Sequence, residues 1–168
     1  MNQDFRPFWR RWLPEAILIV AILFAVNWWQ TRNAARGPVP SLESVTLNGE
    51  AFNIEQFRGR PAIIHFWASW CPICRTEQDA IDAVAEDHPV MTVALQSGDE
   101  PTVQGYLDDN KLKFQVLNDR KGEIANRFGV TGVPTSFVID SHGEIRFVER
   151  GYTTNWGLRL RLWLAENT

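Results

Sequence analysis

Beyond residue 60 the chain alternates short apolar runs with helical patterns, and that order leaves few architectures open. Residues 61–68, PAIIHFWA, form an apolar, β-branched run of the length of one buried strand. Over 72–86, Ile73, Ala80, Ile81 and Val84 supply the apolar positions of a helix, and Glu77, Asp79, Asp82 and Glu86 the polar ones. A second buried strand follows at 90–96, then a helix over 100–110 with Pro101 in its first turn. Residues 114–119 read as a short strand and 122–130 as a short helix that ends at Gly129. Residues 135–140 and 144–150 make a hairpin across Ser141-His142-Gly143. A last helix over 155–167 takes Asn155 as its N-cap. Ahead of all this, VTLNGEAFNI alternates around Asn48-Gly49, the signal of a two-residue hairpin turn. After that hairpin the order is β-α-β-α-β-α-β-β-α. This predicts an α/β fold, a mixed sheet with helices on both faces.

The first strand runs straight into Cys71-Pro72-Ile73-Cys74, which holds the only two cysteines of 168 residues. A disulfide between them would enclose two residues and constrain almost nothing, so it is a poor structural staple. A zinc site needs a second cysteine pair or two nearby histidines; His65, His88 and His142 are scattered. Copper(I) held by two thiolates stays open, because soft ligands suit it. The third reading is a redox couple. Cys71 falls near the N-cap of the predicted helix, where unpaired amides and the helix dipole favour a thiolate. Pro72 fits the first helical turn without loss, and Cys74 lies one turn on, within reach of a disulfide. Glu77 is three positions past Cys74 on the same helix and shares its face. A half-buried carboxyl there would hold its proton more tightly than usual and exchange it with the second thiol; as a surface residue it would do nothing. His65 shares a strand face with Trp67. It reads either as a hydrogen-bonded core histidine or as a second proton handler. Trp67 and Trp70 are expected to pack round the sulfurs and keep water off them.

The front of the chain differs from the rest. Residues 16–26 are apolar without interruption, inside a stretch, 13–29, broken only by Pro14, Glu15 and Asn27. Seventeen residues is the short end for a membrane-spanning helix. Trp9, Trp12, Trp28 and Trp29 flank the run as two aromatic belts. A cleaved signal peptide is the alternative, but bulky Trp28-Trp29 stands where a small-residue cleavage site belongs. Residues 1–37 hold five arginines against Asp4 and Glu15, and three of the five precede the run. The positive-inside rule therefore puts residues 1–12 in the cytoplasm, the anchor at 13–29, and the body outside. Residues 30–40, with Gly37, Pro38 and Pro40, read as a tether, and 41–168 as one domain. The body is mildly acidic and has no basic stripe, which argues against nucleic acid as a partner.

FWASWCPICRTE and GVPTSFVID, in that order and at that separation, resemble the active-site segment and the cis-proline loop of the thioredoxin superfamily. With the anchor, tether and hairpin, the chain resembles the membrane-tethered TlpA/ResA/DsbE branch, and within it the copper-sensitivity suppressor ScsD type. The resemblance covers residues 41–168. It implies a thioredoxin fold with an N-terminal β-hairpin extension. It also implies a protein thiol–disulfide oxidoreductase in which Cys71 attacks and Cys74 resolves. Pro134 would be the cis-proline, and Glu77 matches a glutamate of that branch. Trp70, Pro72, Ile73 and Val133 would meet the substrate. His65 departs from the pattern, since many thioredoxins carry a buried aspartate there. No dissociable cofactor or metal is implied. The implied partners are protein thiols and disulfides and a membrane protein that recycles the pair, at the periplasmic face of a bacterial inner membrane. Copper handling through the same two sulfurs and a reductase role dedicated to cytochrome c maturation are the alternatives.

Overall fold

The structure, a computed structural model, describes residues 13–22, 25 and 32–167. It forms two compact units, Met1–Arg32 and Asn33–Thr168. In the first, residues 13–22 and Ala25 are helical, with Leu13, Ile17, Leu18, Ile19, Val20 and Ile22 exposed. Residues 23, 24 and 26–29 of the expected anchor, and Trp9, Trp12, Trp28 and Trp29, lie outside the described residues. Among the described residues no helix is long and apolar enough to cross a membrane.

The second unit has a six-stranded sheet in the order β1-β8-β7-β4-β5-β6 and a two-stranded hairpin, β2-β3. The strands are β1 (Gly37–Pro38), β2 (Glu43–Val45), β3 (Ala51–Asn53), β4 (Ala62–Trp67), β5 (Val90–Leu95), β6 (Gln115–Asp119), β7 (Thr135–Ile139) and β8 (Glu144–Arg150). The α-helices of this unit are α1 (Pro72–Ala85), α2 (Glu100–Asn110), α3 (Glu123–Arg127) and α4 (Asn155–Glu166), and a 3-10 helix spans Ile54–Phe57. β4 is central, parallel to β5 and antiparallel to β7, and all six of its residues are buried. Its alternation divides the core in two. Ile63 and Trp67 join α1, α2 and α4, whose contributions include Ile81, Val84, Val103, Leu158 and Leu162. Ile64 and Phe66 join α3 and the hairpin on the other face, through Phe128, Phe137, Phe52 and Leu42. There the Phe66, Phe128 and Phe137 rings sit with centroids 5.2 to 5.7 Å apart in tilted and edge-on pairs. Burying each ring contributes about 2–3 kcal/mol.

The predicted α/β order holds throughout, and three local expectations change. The first hairpin closes through a three-residue loop, Leu47-Asn48-Gly49, instead of a two-residue turn. Gly49 takes the left-handed position at φ 81°, and Thr46 N–H donates to Glu50 O. The wider loop frees Leu47 N–H to donate to Val116 O, which ties the hairpin to β6. Second, the N-cap of α4 is Thr154, whose hydroxyl accepts from Gly157 N–H; Asn155 instead accepts from Arg159. Third, much of the expected tether is part of the body. Ala35 N–H donates to Phe128 O, Gly37 and Pro38 pair with Ile145 and Glu144, and Val39 N–H donates to Gly143 O. An edge strand asks only for backbone, so a polar, Gly/Pro-rich sequence fills it as well as any other.

Gly129 makes this docking possible. It sits at φ 64°, and a Cβ there would lie 1.9 Å from the backbone oxygen of Asn33. Gly129→Ala is therefore expected to cost about 1–3 kcal/mol in urea unfolding. It should also open residues 33–36 to protease in the otherwise folded protein. Unchanged stability and unchanged cleavage would show that the segment is not held by this contact.

Candidate functional site

The site forms where β4 hands over to α1. The strand ends at Trp67, Cys71 N–H donates back to Ala68 O, and Cys71 adopts the extended conformation of an N-cap (φ −90°, ψ 112°). Pro72 opens the helix, where no N–H is needed. Cys71 and Cys74 are joined as a disulfide with Cα atoms 5.3 Å apart. Cys71 Sγ accepts from Cys74 N–H at 3.2 Å, so the sulfur occupies the position of a capping oxygen. This is the location that favours a thiolate once the bond is reduced. Both cysteines are buried, Cys71 at 5% exposure and Cys74 at 3%.

Across from the disulfide, the Val133–Pro134 peptide bond is cis, and Val133 O lies 3.8 Å from Cys71 Sγ. The loop is braced from two sides. Gly151 N–H donates to Pro134 O, and Thr135 Oγ1 donates to Gly132 O at 2.7 Å. Pro134 is buried and Val133 half-buried. Trp70 and Ile73 stand out from the surface at 58% and 51% exposure, with Pro72 also exposed between them. Trp70 is fixed by its indole N–H, which donates to Gln96 O at 3.1 Å. Gln96 itself holds a left-handed φ of 46°. The expectation that both tryptophans shield the sulfurs is thus corrected. Trp67 does so, buried in the same cluster as Cys71 and Cys74, against Tyr106 and Phe114, with its indole donating to Thr92 Oγ1. Trp70 lies in the turn between β4 and α1, past the end of the strand, and faces outward.

Beneath the disulfide the structure joins two residues that the sequence offered separately. Glu77 is 1% exposed and His65 2%. Glu77 Oε2 accepts from Thr153 N–H at 2.7 Å, and Oε1 lies 3.5 Å from His65 Nε2. On its other side His65 Nδ1 is 2.8 Å from Ser136 Oγ. Burial pushes Glu77 up to about 7, against a smaller opposite pull from the Thr153 N–H. Burial also pushes His65 down to about 3. Both shifts favour a neutral carboxylic acid beside a neutral imidazole, so the pair is not a salt bridge below neutral pH. Ser136 and Thr153 were not singled out from the sequence. Ser136 carries a faint signal, a polar residue inside an apolar strand and in register with His65. Thr153 carries none, since it acts through its backbone. His88 and His142 stay away from the site: His142 sits in the β7–β8 turn and His88 before β5. Among the described residues no group of three or more His, Cys, Asp or Glu is placed to hold a metal ion.

The arrangement is a capped, reducible disulfide, flanked by an exposed apolar rim and backed by a buried acid. It can exchange electrons with thiols and move a proton while doing so. Comparison with known proteins agrees. The model of the Redoxin family matches residues 34–156. A thioredoxin-like protein of Haemophilus influenzae is 40% identical over 122 residues, covering 71% of this chain and 72% of that protein. The thiol–disulfide oxidoreductase ResA of Halalkalibacterium halodurans is 28% identical over 155 residues, 88% of each chain. The crystal structure of StoA from Bacillus subtilis superposes with a TM-score of 0.61 at 32% identity, covering 74% of this chain and 96% of that one. The chain belongs to the Redoxin family, as a thioredoxin-like thiol–disulfide oxidoreductase of the ResA and StoA type.

Proposed function

We propose that the protein is anchored by residues 13–29 in a bacterial inner membrane and exchanges disulfides with protein cysteines in the periplasm. The observation that carries the chemistry is the Cys71–Cys74 disulfide capping α1, with Glu77 buried behind it. In the oxidising direction a substrate thiolate attacks Cys71 Sγ, the Cys71–Cys74 bond breaks, and Cys74 leaves as a thiolate. A second substrate thiol then attacks the mixed disulfide and releases Cys71. The reducing direction runs the same steps backwards, with Cys74 attacking Cys71 Sγ. Protonated Glu77 supplies the proton that the departing Cys74 sulfur takes up; ionised Glu77 removes the thiol proton before the return attack. A carboxyl that titrates near 7 is populated in both forms at neutral pH, which suits both tasks. Trp70, Pro72, Ile73 and the Val133–Pro134 backbone form the surface on which an extended substrate segment lies.

The membrane setting is supported by the apolar residues 16–26, the helix seen over 13–22, and the flanking tryptophans and arginines. A membrane protein that recycles the pair completes the cycle. The ScsD-type resemblance adds a copper-linked setting, and cytochrome c maturation is the same chemistry with a narrower substrate. Stoichiometric copper(I) binding by the reduced protein, without turnover, would move the assignment to copper handling.

Cys71→Ser is expected to abolish exchange, whereas Cys74→Ser accumulates a mixed disulfide visible on non-reducing gels. Alkylation of the reduced protein should label Cys71 first; faster labelling of Cys74 would reverse the two roles. Glu77→Gln should slow exchange on the order of a hundredfold at neutral pH and flatten its pH profile. It should not weaken the fold at pH 8. The acid's folded pKa is raised, so its contribution is fully present below about 4.5 and is lost as pH rises through about 7. The amide does not ionise, and its advantage at pH 8 has an upper bound of about 3 kcal/mol. An unchanged profile would remove Glu77 from the mechanism. Full-length protein from cells should fractionate with the inner membrane and begin at residue 1 or 2; a mature start near Ala35 or Arg36 would mean a cleaved leader.

A further inference from the structure

We propose that His65 is a positioning residue for Glu77, presenting its Nε2 lone pair to the carboxyl O–H, and that Ser136 sets this tautomer by accepting from Nδ1–H. The inference deepens the reading of Glu77 as the proton handler of Cys74.

Geometry assigns the proton. Glu77 Oε2 is committed to the Thr153 N–H at 2.7 Å, so a hydrogen on that oxygen would face another donor. The carboxyl hydrogen therefore belongs on Oε1, which is buried and has no hydrogen-bond partner in its present place. The nitrogen 3.5 Å from it is His65 Nε2. A neutral imidazole accepts at one nitrogen only and donates from the other. For Nε2 to accept, Nδ1 must carry the hydrogen, and Ser136 Oγ at 2.8 Å takes it. With a carboxylate at position 77 the opposite tautomer is preferred: Nε2–H points at Oε1 and the Ser136 hydroxyl donates to Nδ1. A hydroxyl can do either, because it is both donor and acceptor. Ser136 thus allows His65 to follow the charge of Glu77 without moving.

The surroundings of this pair carry one ion pair in register with Ser136. In sheet register His65 is flanked by Thr92 on β5 and Ser136 on β7. The α1 residues on its side are Cys74 and Glu77, and the segment before α4 contributes Thr153. Beyond Ser136, β8 places Glu149 in register, where it is paired with Arg161 of α4; the other α4 cation, Arg159, is paired with Asp87. Below the Glu77 midpoint burial keeps both members neutral, which is the state that needs an acid–acceptor contact. At 3.5 Å that contact is longer than a full hydrogen bond, so the carboxyl hydrogen is directed without being locked and can turn to Cys74.

Two measurements on the full-length oxidised protein test this. Nitrogen NMR of labelled histidine, below the Glu77 midpoint, should find His65 as the Nδ1–H tautomer; the Nε2–H tautomer there would overturn the proposal. Ser136→Ala removes the acceptor for Nδ1–H, and the ring should then invert and donate to Glu77. Exchanging an acceptor that faces the acid form for an Nε2–H donor that faces the carboxylate should lower the Glu77 midpoint by about half to one pH unit, read from its side-chain carbon shift. Ser136→Thr, which keeps a hydroxyl, should restore it. A fall in thermal midpoint with no shift at Glu77 would make Ser136 merely structural and also overturn the proposal. An unaltered pH profile in Glu77→Gln would instead remove the role of Glu77 at Cys74 and leave the tautomer result standing.

Discussion

β4 is paired along both edges and buried on both faces, and every functional position is referred to it. Its register with β5 and β7 puts His65 between Thr92 and Ser136, and its alternation sends Ile64 and Phe66 to one core and Ile63, His65 and Trp67 toward the other. A slip by one residue would exchange the two sets and place Phe66 where the imidazole meets Glu77. The strand also delivers the chain to Cys71 at the start of α1, so the reactive sulfur inherits its place from the most constrained element of the fold. Trp67 works at both levels. It fills the core beside both cysteines, and its indole N–H is satisfied by Thr92. A bulky ring in that position leaves little room for water behind the disulfide.

The sulfurs need a proton on one side and access on the other, and the fold separates these demands. Behind the disulfide, Glu77 and His65 are sealed; in front, Trp70 and Ile73 are exposed. The two buried groups pull stability in opposite directions as pH changes. His65 has a lowered folded pKa, so its contribution is present above about 6.5 and is lost as pH falls toward 3. Glu77 has a raised one, and its contribution is lost as pH rises from about 4.5 through 7. Between about 4.5 and 6.5 the two changes oppose each other. A buried acid alone would make the fold sensitive across that interval; the paired imidazole counters part of that slope.

Much of this was legible before any coordinates. The strand–CxxC–helix junction, the α/β order and the cis-proline position follow from local pattern and resemblance, and the helical spacing from Cys74 to Glu77 placed the acid on the correct face. What the sequence did not show was the meeting of Glu77 with His65. Twelve residues and a change of element separate them, and no periodicity reports a contact between a strand face and the helix packed on it. Thr153 was invisible for a different reason, since its contribution is a backbone amide that any residue but proline supplies. Residues 33–39 misled because composition registers side chains, whereas their docking uses backbone pairing and the missing Cβ of Gly129. Trp70 misled because its place directly before Cys71 does not tell which way a ring in the turn after β4 faces.

The outward face of Trp70 then acquires a meaning that core packing does not give it. Its indole is tied to Gln96 O, and Gln96 adopts a left-handed backbone that few non-glycine residues take. A side chain left exposed for no purpose would not need a tether to a strained carbonyl. With Pro72 and Ile73 beside it and the half-buried Val133 opposite, the ring makes one wall of an open apolar rim around Cys71. Trp70, Pro72 and Ile73 are all exposed along this rim. An extended polypeptide gains from it along its length, through side-chain contact on the apolar wall and main-chain pairing at the cis-proline loop. The open rim is the surface on which the proposed exchange with protein cysteines would take place, and the buried acid serves the Cys74 sulfur behind it.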